Sequence, residues 1–190
     1  MYKSEFDVLA FETPLIFSDG TDFWEDVAKK HIRHKRGFFI LGPSGSGKTH
    51  FVKSQKEHHW IDGDVLWEGS RAHPKGEWWL ESGEVISKID ARSDVMTEQA
   101  MMRGHWVIGA SNNWLKPDAI IIPNWATHKK YIRHREQHGY DGGAKSDAFE
   151  QVLWHRNWIM QWEKKGVPKF RSAFEAEEYL LNKYKKELST

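Results

Sequence analysis

The sequence predicts an α/β fold: a parallel sheet of about five strands with helices on both faces. Three observations predict it. Short, continuous apolar runs alternate with longer segments of helical patterning, which is how successive βαβ units read. Those apolar runs lack the strict alternation of a half-exposed strand, so both of their faces are expected to be buried. Finally, no internal repeat, low-complexity tract or Pro/Gly/Ser-rich linker divides the 190 residues, which are expected to form one domain.

The elements follow in chain order. Residues 1–20 carry no clear pattern and are expected to form an N-terminal extension, as an edge hairpin or a cover. Residues 21–34 read as a helix, with Thr21 or Asp22 as its cap. GFFIL (37–41) is the first buried strand, followed by a glycine-rich turn and a helix from Lys48 to about Glu57. HHWID (58–62) is the second strand, and residues 82–103 are helical, although Gly83 weakens the start. HWVIGA (105–110) and AIIIP (119–123) are the third and fourth strands. Residues 125–138, 146–165 and 172–187 read as helices, with VPKF (167–170) as a fifth strand. Right-handed crossovers then make the sheet parallel.

Composition excludes several classes. The 28 Lys and Arg nearly cancel the 27 Asp and Glu, so any nucleic-acid contact must use a local patch. With no Cys there is no disulfide framework, zinc ribbon or thiol nucleophile, which fits a reducing cytoplasm. No apolar run approaches the ~20 residues of a membrane span, and the stretch MYKSEFDVLAFE is too acidic for a signal peptide. The expected setting is therefore cytoplasmic, without a membrane partner, as a monomer or homodimer. The unusual feature is 11 Trp residues.

The strongest signal is Gly42-Pro43-Ser44-Gly45-Ser46-Gly47-Lys48-Thr49, a full match to G-x-x-x-x-G-K-[ST]. Glycines let the backbone wrap so that successive N–H groups point at phosphate oxygens, and the helix that follows adds its dipole. Lys48 is placed to reach the β- and γ-phosphates, and the Thr49 hydroxyl to ligate Mg²⁺. The motif sits between a buried strand and a helix, where this mechanism requires it. The expected fold is thus of P-loop NTPase type, with ATP and Mg²⁺ as cofactors.

The rest of the chain narrows the class. The only Asn-Lys, Asn182-Lys183, does not continue as a guanine-reading motif. The third strand ends Gly109-Ala110-Ser111-Asn112-Asn113, not in the Asp-Glu of a hydrolytic ATPase. Small kinases remain. Their carboxylates are expected in Asp62-Gly63-Asp64, at the strand edge where open α/β sheets bind ligands. A hydroxyl must lose its proton as it attacks phosphorus, so Asp62 is the favoured base or metal-side carboxylate and Asp64 the second. A basic lid is expected over 129–145. Lys129, Lys130, Arg133 and Arg135 would stabilise the transferring phosphoryl group, with HGYDGGAK (138–145) as the hinge.

Taken in order, these motifs resemble the thymidylate and nucleoside-monophosphate kinases over roughly residues 37–187. The supporting segments are Pro117-Asp118 with its apolar strand, Arg133-x-Arg135, Asp147-Ala148-Phe149-Glu150, Arg156 and VPKFRSAFEAEEYL. That resemblance implies a lidded kinase whose final loop packs on the donor base. The chain departs from thymidylate kinases in lacking their Asp-Arg-Tyr pattern, for which Asp90-Ala91-Arg92 is the nearest candidate. Asp62-Gly63-Asp64 resembles instead the pattern of small kinases that phosphorylate alcohols. One branch joins both features: viral 5-hydroxymethyluracil DNA kinases, which the chain also resembles. It implies transfer of the ATP γ-phosphate to the hydroxymethyl group of a modified base in DNA, in the host cytoplasm. A deoxynucleoside monophosphate kinase and an ATPase without an acceptor are the alternatives.

The aromatic residues divide. Trp154, Trp158 and Trp162 recur every four residues and are expected in the core. Trp67, Trp78, Trp79 and Trp114 fall in acceptor-side positions, within or after the segment 65–104, and are expected to stack on a base. Arg71, His73, Lys75, Arg92, Arg103 and Lys116 are candidates to hold backbone phosphates. The histidines show no metal spacing.

Overall fold

The computed structural model describes residues 15–140 and 142–188. The extension expected at residues 1–20 thus lies largely outside the described residues. Within them the chain forms a five-stranded, all-parallel sheet with order β2-β3-β1-β4-β5. The strands are β1 (Phe38–Leu41), β2 (Trp60–Asp62), β3 (Trp106–Gly109), β4 (Ala119–Ile121) and β5 (Lys169–Phe170). The helices are α1 (Phe23–Lys30), α2 (Lys48–Ser54), α3 (Gly63–Gly69), α4 (Gly83–Met102), α5 (Trp125–Gln137), α6 (Phe149–Lys164) and α7 (Ala173–Leu188). A 3-10 turn spans Trp78–Leu80. Among the described residues no helix is long and apolar enough to cross a membrane.

Both faces of the sheet are covered. Along β1, Phe39 and Leu41 point into a core built with α1, α3, α4 and α6. Phe38 and Ile40 point into a second core built with α2 and α7. At an apolar burial worth about 25 cal/mol per Å², such two-sided packing is why these strands read as unbroken apolar runs. Connections leave β1 and β3 in opposite directions, so the crevice at their C-terminal ends is the topological switch point.

The expected elements form, with differences that have physical causes. Helix α1 is capped by Asp22, whose carboxylate accepts from the Trp24 and Glu25 amides. It stops at Lys30, short of residue 34. The Ile32 and His34 amides are taken by the His58 and Gly104 carbonyls (2.9 and 2.8 Å), which pulls the chain straight. Strand β5 starts late because the Val167 amide stays bonded to the Trp162 carbonyl of α6. Helix α3 was not expected at all. Its Asp-Gly-Asp start reads as a turn, yet Asp62 caps it by accepting from the Asp64 amide (3.1 Å), and burial of Leu66 and Trp67 drives it.

Two expectations about tryptophan are corrected. The 154/158/162 stripe is not all core: Trp162 is 6% exposed, Trp158 is half-buried and Trp154 is 65% exposed. Trp67 is fully buried rather than presented to a ligand, and its Nε1 donates to Thr97 Oγ1 (3.0 Å). The indole lies across the end of β3 so closely that a Cβ at Gly109 would meet its ring at 2.1 Å.

Candidate functional site

The glycine-rich loop leaves β1 and opens α2. Gly45 and Gly47 hold φ of +79° and +92°, values that side chains rarely adopt, and Gly47 sits at the cap position of α2. Lys48 folds back over the loop, its Nζ donating to the Gly42 carbonyl (2.9 Å) and the Pro43 carbonyl (2.8 Å). Burial pushes its ammonium down to about 8 against the pull of Asp64 and Asp62, so it remains charged at neutral pH. Ser46 Oγ is buried with no hydrogen-bond partner among the described residues. A buried, unpartnered hydroxyl inside such a loop suits an acceptor oxygen from a ligand.

The two carboxylates after β2 have different surroundings. Asp62 Oδ2 accepts from Thr49 Oγ1 at 2.8 Å, tying the end of β2 to the start of α2. A hydroxyl and a carboxylate oxygen in contact form a hard-oxygen pair of the kind Mg²⁺ takes alongside phosphate oxygens. Asp64, in the first turn of α3, opens onto the cleft, where the surrounding protein partly desolvates it. This desolvation raises its carboxyl above the ordinary range, opposed by Lys48 and reinforced by Asp62 and Glu68.

Helix α5 closes over the loop through a side chain that sequence reasoning missed. His128 is fully buried, with Nε2 2.8 Å from the Ser44 carbonyl and Nδ1 2.9 Å from Arg156 Nη1. A carbonyl only accepts and a guanidinium only donates, so His128 is neutral with its proton on Nε2. Burial first, with Arg156 adding, pushes this imidazole down to about 4. Ile132 packs on Gly45, and Arg135 points into the same cleft. The Arg135 guanidinium donates to the Ala144 carbonyl and lies over the Tyr140 ring at 4.8 Å, while its buried Nε has no partner among the described residues. Ala144 N in turn donates to Ser44 Oγ (3.1 Å), docking the expected lid on the loop. Arg133 does not join this group. It is exposed, over the Phe149 ring at 5.5 Å, and outside the cleft wall.

These groups line a cleft of about 2600 Å³ that runs across the C-terminal edge of the sheet. Single small-ligand pockets occupy ~300–1000 Å³, so the space exceeds one nucleotide. On the α2/α7 side it is lined by Lys53, Arg171 and Phe174. On the opposite side lie His73, Lys75, Trp78, Trp79, Asp90, Ser111, Trp154 and Trp158. Of the acceptor candidates, only Trp78 lies in this wall together with Trp79, His73 and Lys75. Trp67 supports it from below through His73, whose ring lies 4.9 Å from Trp67 and 4.5 Å from Trp78. Trp114 is 46% exposed outside the cleft, Arg71 is exposed and Arg92 is buried, and none of the three lines it.

A polar node at the end of β3 holds the aromatic wall. Fully buried Asp94 accepts from the amides of Asn113 (2.8 Å), Trp114 (2.5 Å) and Leu115 (3.0 Å) and from Asn112 Nδ2 (3.1 Å). The Asn112 carboxamide oxygen and carbonyl accept from the indoles of Trp162 (2.7 Å) and Trp158 (3.3 Å). Asp90, one turn earlier on α4, faces the cleft. Burial pushes it up to about 7, a hydrogen bond from Ser111 opposes this, and Asp94 adds to it. Among the described residues no three His, Asp or Glu side chains gather as a metal site, so a cation here would draw most of its shell from a ligand's oxygens.

Fold and site together define an α/β protein with a glycine-rich loop at the switch point of a parallel sheet. No family model matches the chain, and no curated protein matches it.

Proposed function

We propose that this chain is an Mg²⁺- and ATP-dependent phosphotransferase, built like the nucleoside-monophosphate kinases, that phosphorylates a hydroxyl group on a nucleotide-type acceptor. The observation that carries the reading is the division of labour between Asp62 and Asp64. Asp62 is engaged with Thr49, the pair that would hold Mg²⁺. Asp64 is left facing Lys48 and Arg135 with a raised carboxyl, which suits a general base. A phosphate acceptor is already ionised and needs no base, whereas an alcohol does. The finer acceptor we assign is the hydroxymethyl group of 5-hydroxymethyluracil in DNA.

The residues then act as follows. Loop amides, Ser46 Oγ and Lys48 bind the β- and γ-phosphates, and Arg135 neutralises charge on the transferring group. Bound Mg²⁺ would screen the phosphate charge and orient the oxygens. Asp64 accepts the proton of the acceptor hydroxyl as its oxygen bonds to the γ-phosphorus. The bond to the β-phosphate oxygen breaks, leaving ADP, and the proton is later released to water. Phe174 and Arg171, at the start of α7, flank the donor base. Replacing Asp64 by Asn tests the reading. Single-turnover transfer should fall about 100-fold or more while ATP affinity is retained, and Lys48→Ala should lose both. Full transfer in the Asp64→Asn enzyme would overturn it.

A further inference from the structure

The α6 tryptophans that read as core from the sequence form a surface instead. Trp154 and Trp158 lie one turn apart with ring planes within 13° and centroids 6.5 Å apart, and both line the cleft. Trp158 is held by its hydrogen bond to the Asn112 carbonyl, within the node that Asp94 organises. Trp154 is left 65% exposed, so its broad ring face is open to the cleft. Trp78 and Trp79 belong to the same arm, in edge contact at 6.1 Å and 77°. Four indoles in one arm offer stacking faces, and a stacked ring is recognised through its π-surface.

Charge identifies what the arm excludes. The cations of the cleft, Lys48, Lys53, Arg135, Lys145 and Arg171, belong to the loop, α2, the lid and the start of α7. Among the described residues, the aromatic arm contributes Glu77, Glu81 and Asp90 with Lys75, and Lys145 of the lid lies 4.0 Å from Glu77 at the rim. A dianionic monophosphate in this arm would meet carboxylates without a cluster of partners, whereas an uncharged planar ring meets indoles. We propose that Trp154, supported by the parallel Trp158, is the stacking platform for a single nucleobase that enters the arm while its phosphates stay outside. This rests on the phosphotransferase reading for its purpose, but not for its test. Asp90 and Ser111 at the inner end supply hydrogen-bonding groups for the edge of that ring.

The base could belong to a free nucleoside or to an unpaired position in DNA, and calorimetry without ATP separates the two. The titrants are 5-hydroxymethyl-2′-deoxyuridine, its 5′-monophosphate, a short single-stranded oligonucleotide carrying that base, and the duplex form. With one base–aromatic stack removed, Trp154→Ala should weaken every titrant that the wild type binds by about tenfold. Trp154→Phe should retain most of the affinity, with thermal midpoint and affinity for a non-hydrolysable ATP analogue unchanged in both. The monophosphate should bind no more tightly than the nucleoside. The proposal is overturned if Trp154→Ala binds as the wild type does, if the monophosphate binds far more tightly than the nucleoside, or if the wild type binds none of the four. Loss of phosphotransfer with Trp154-dependent base binding intact would instead count against the kinase reading alone.

Discussion

At the scale of single residues, the cleft shifts two groups in opposite directions, Asp64 up and Lys48 down. Asp64 must be deprotonated to accept a proton, and its carboxyl is held above the usual carboxylate range. Lys48 must be charged, and its ammonium is pushed down to about 8. With acceptor saturating, kcat/KM for ATP should therefore be bell-shaped. It falls on the acid side as Asp64 takes up a proton, on a limb above the ordinary carboxylate range, and falls again near pH 8 as Lys48 loses one. Lys48→Arg should carry the alkaline limb upward out of the measurable range, and an unmoved limb would contradict the assignment. Residue-scale legibility was mixed for a geometric reason. Arg133 and Arg135 are two positions apart, so on a helix they diverge by about 200° and cannot both face one cleft. Tracing Arg135 back through Ile132 to His128 would have found the buried imidazole on the same face.

At the scale of elements, motif and buried strands were legible because their chemistry is local. Helix α3 was not, because a seven-residue segment between two glycines owes its form to tertiary burial of Leu66 and Trp67. The tryptophan stripe misled because four-residue steps drift about 40° each around a helix. Two such steps carry the surface from Trp162 in the core to Trp154 in the cleft. Trp67 makes an exacting contact between elements, since it links α3, the end of β3 and, through His73, the aromatic arm. Gly109→Ala would drive a methyl into that indole. Overpacking of this kind costs ~1–3 kcal/mol, which urea denaturation would read as a lowered midpoint. Unchanged stability would show that Trp67 can yield.

At the scale of the molecule, the sheet acts as a divider. One face, with α2 and α7, carries the cationic end of the cleft, and the other, with α3, α4 and α6, carries the aromatic end. The glycine-rich loop stands between them, with α5 and the docked lid above. Near-neutral net charge accords with a basic patch confined to part of a cleft, and not with a surface that is basic all over. Composition announced the excess of tryptophan but could not divide it between core and cleft, because that division depends on which helix faces which side of the sheet. The central claim is that phosphate passes from a nucleotide on one side to a hydroxyl on the other. The most direct measurement follows the label of γ-labelled ATP and Mg²⁺ among a 5-hydroxymethyluracil oligonucleotide, its unmodified counterpart, free deoxynucleoside monophosphates and water. Label entering the hydroxymethylated oligonucleotide, and not its unmodified counterpart, is the predicted result. Label entering only the free monophosphates, or appearing only as inorganic phosphate, would contradict it.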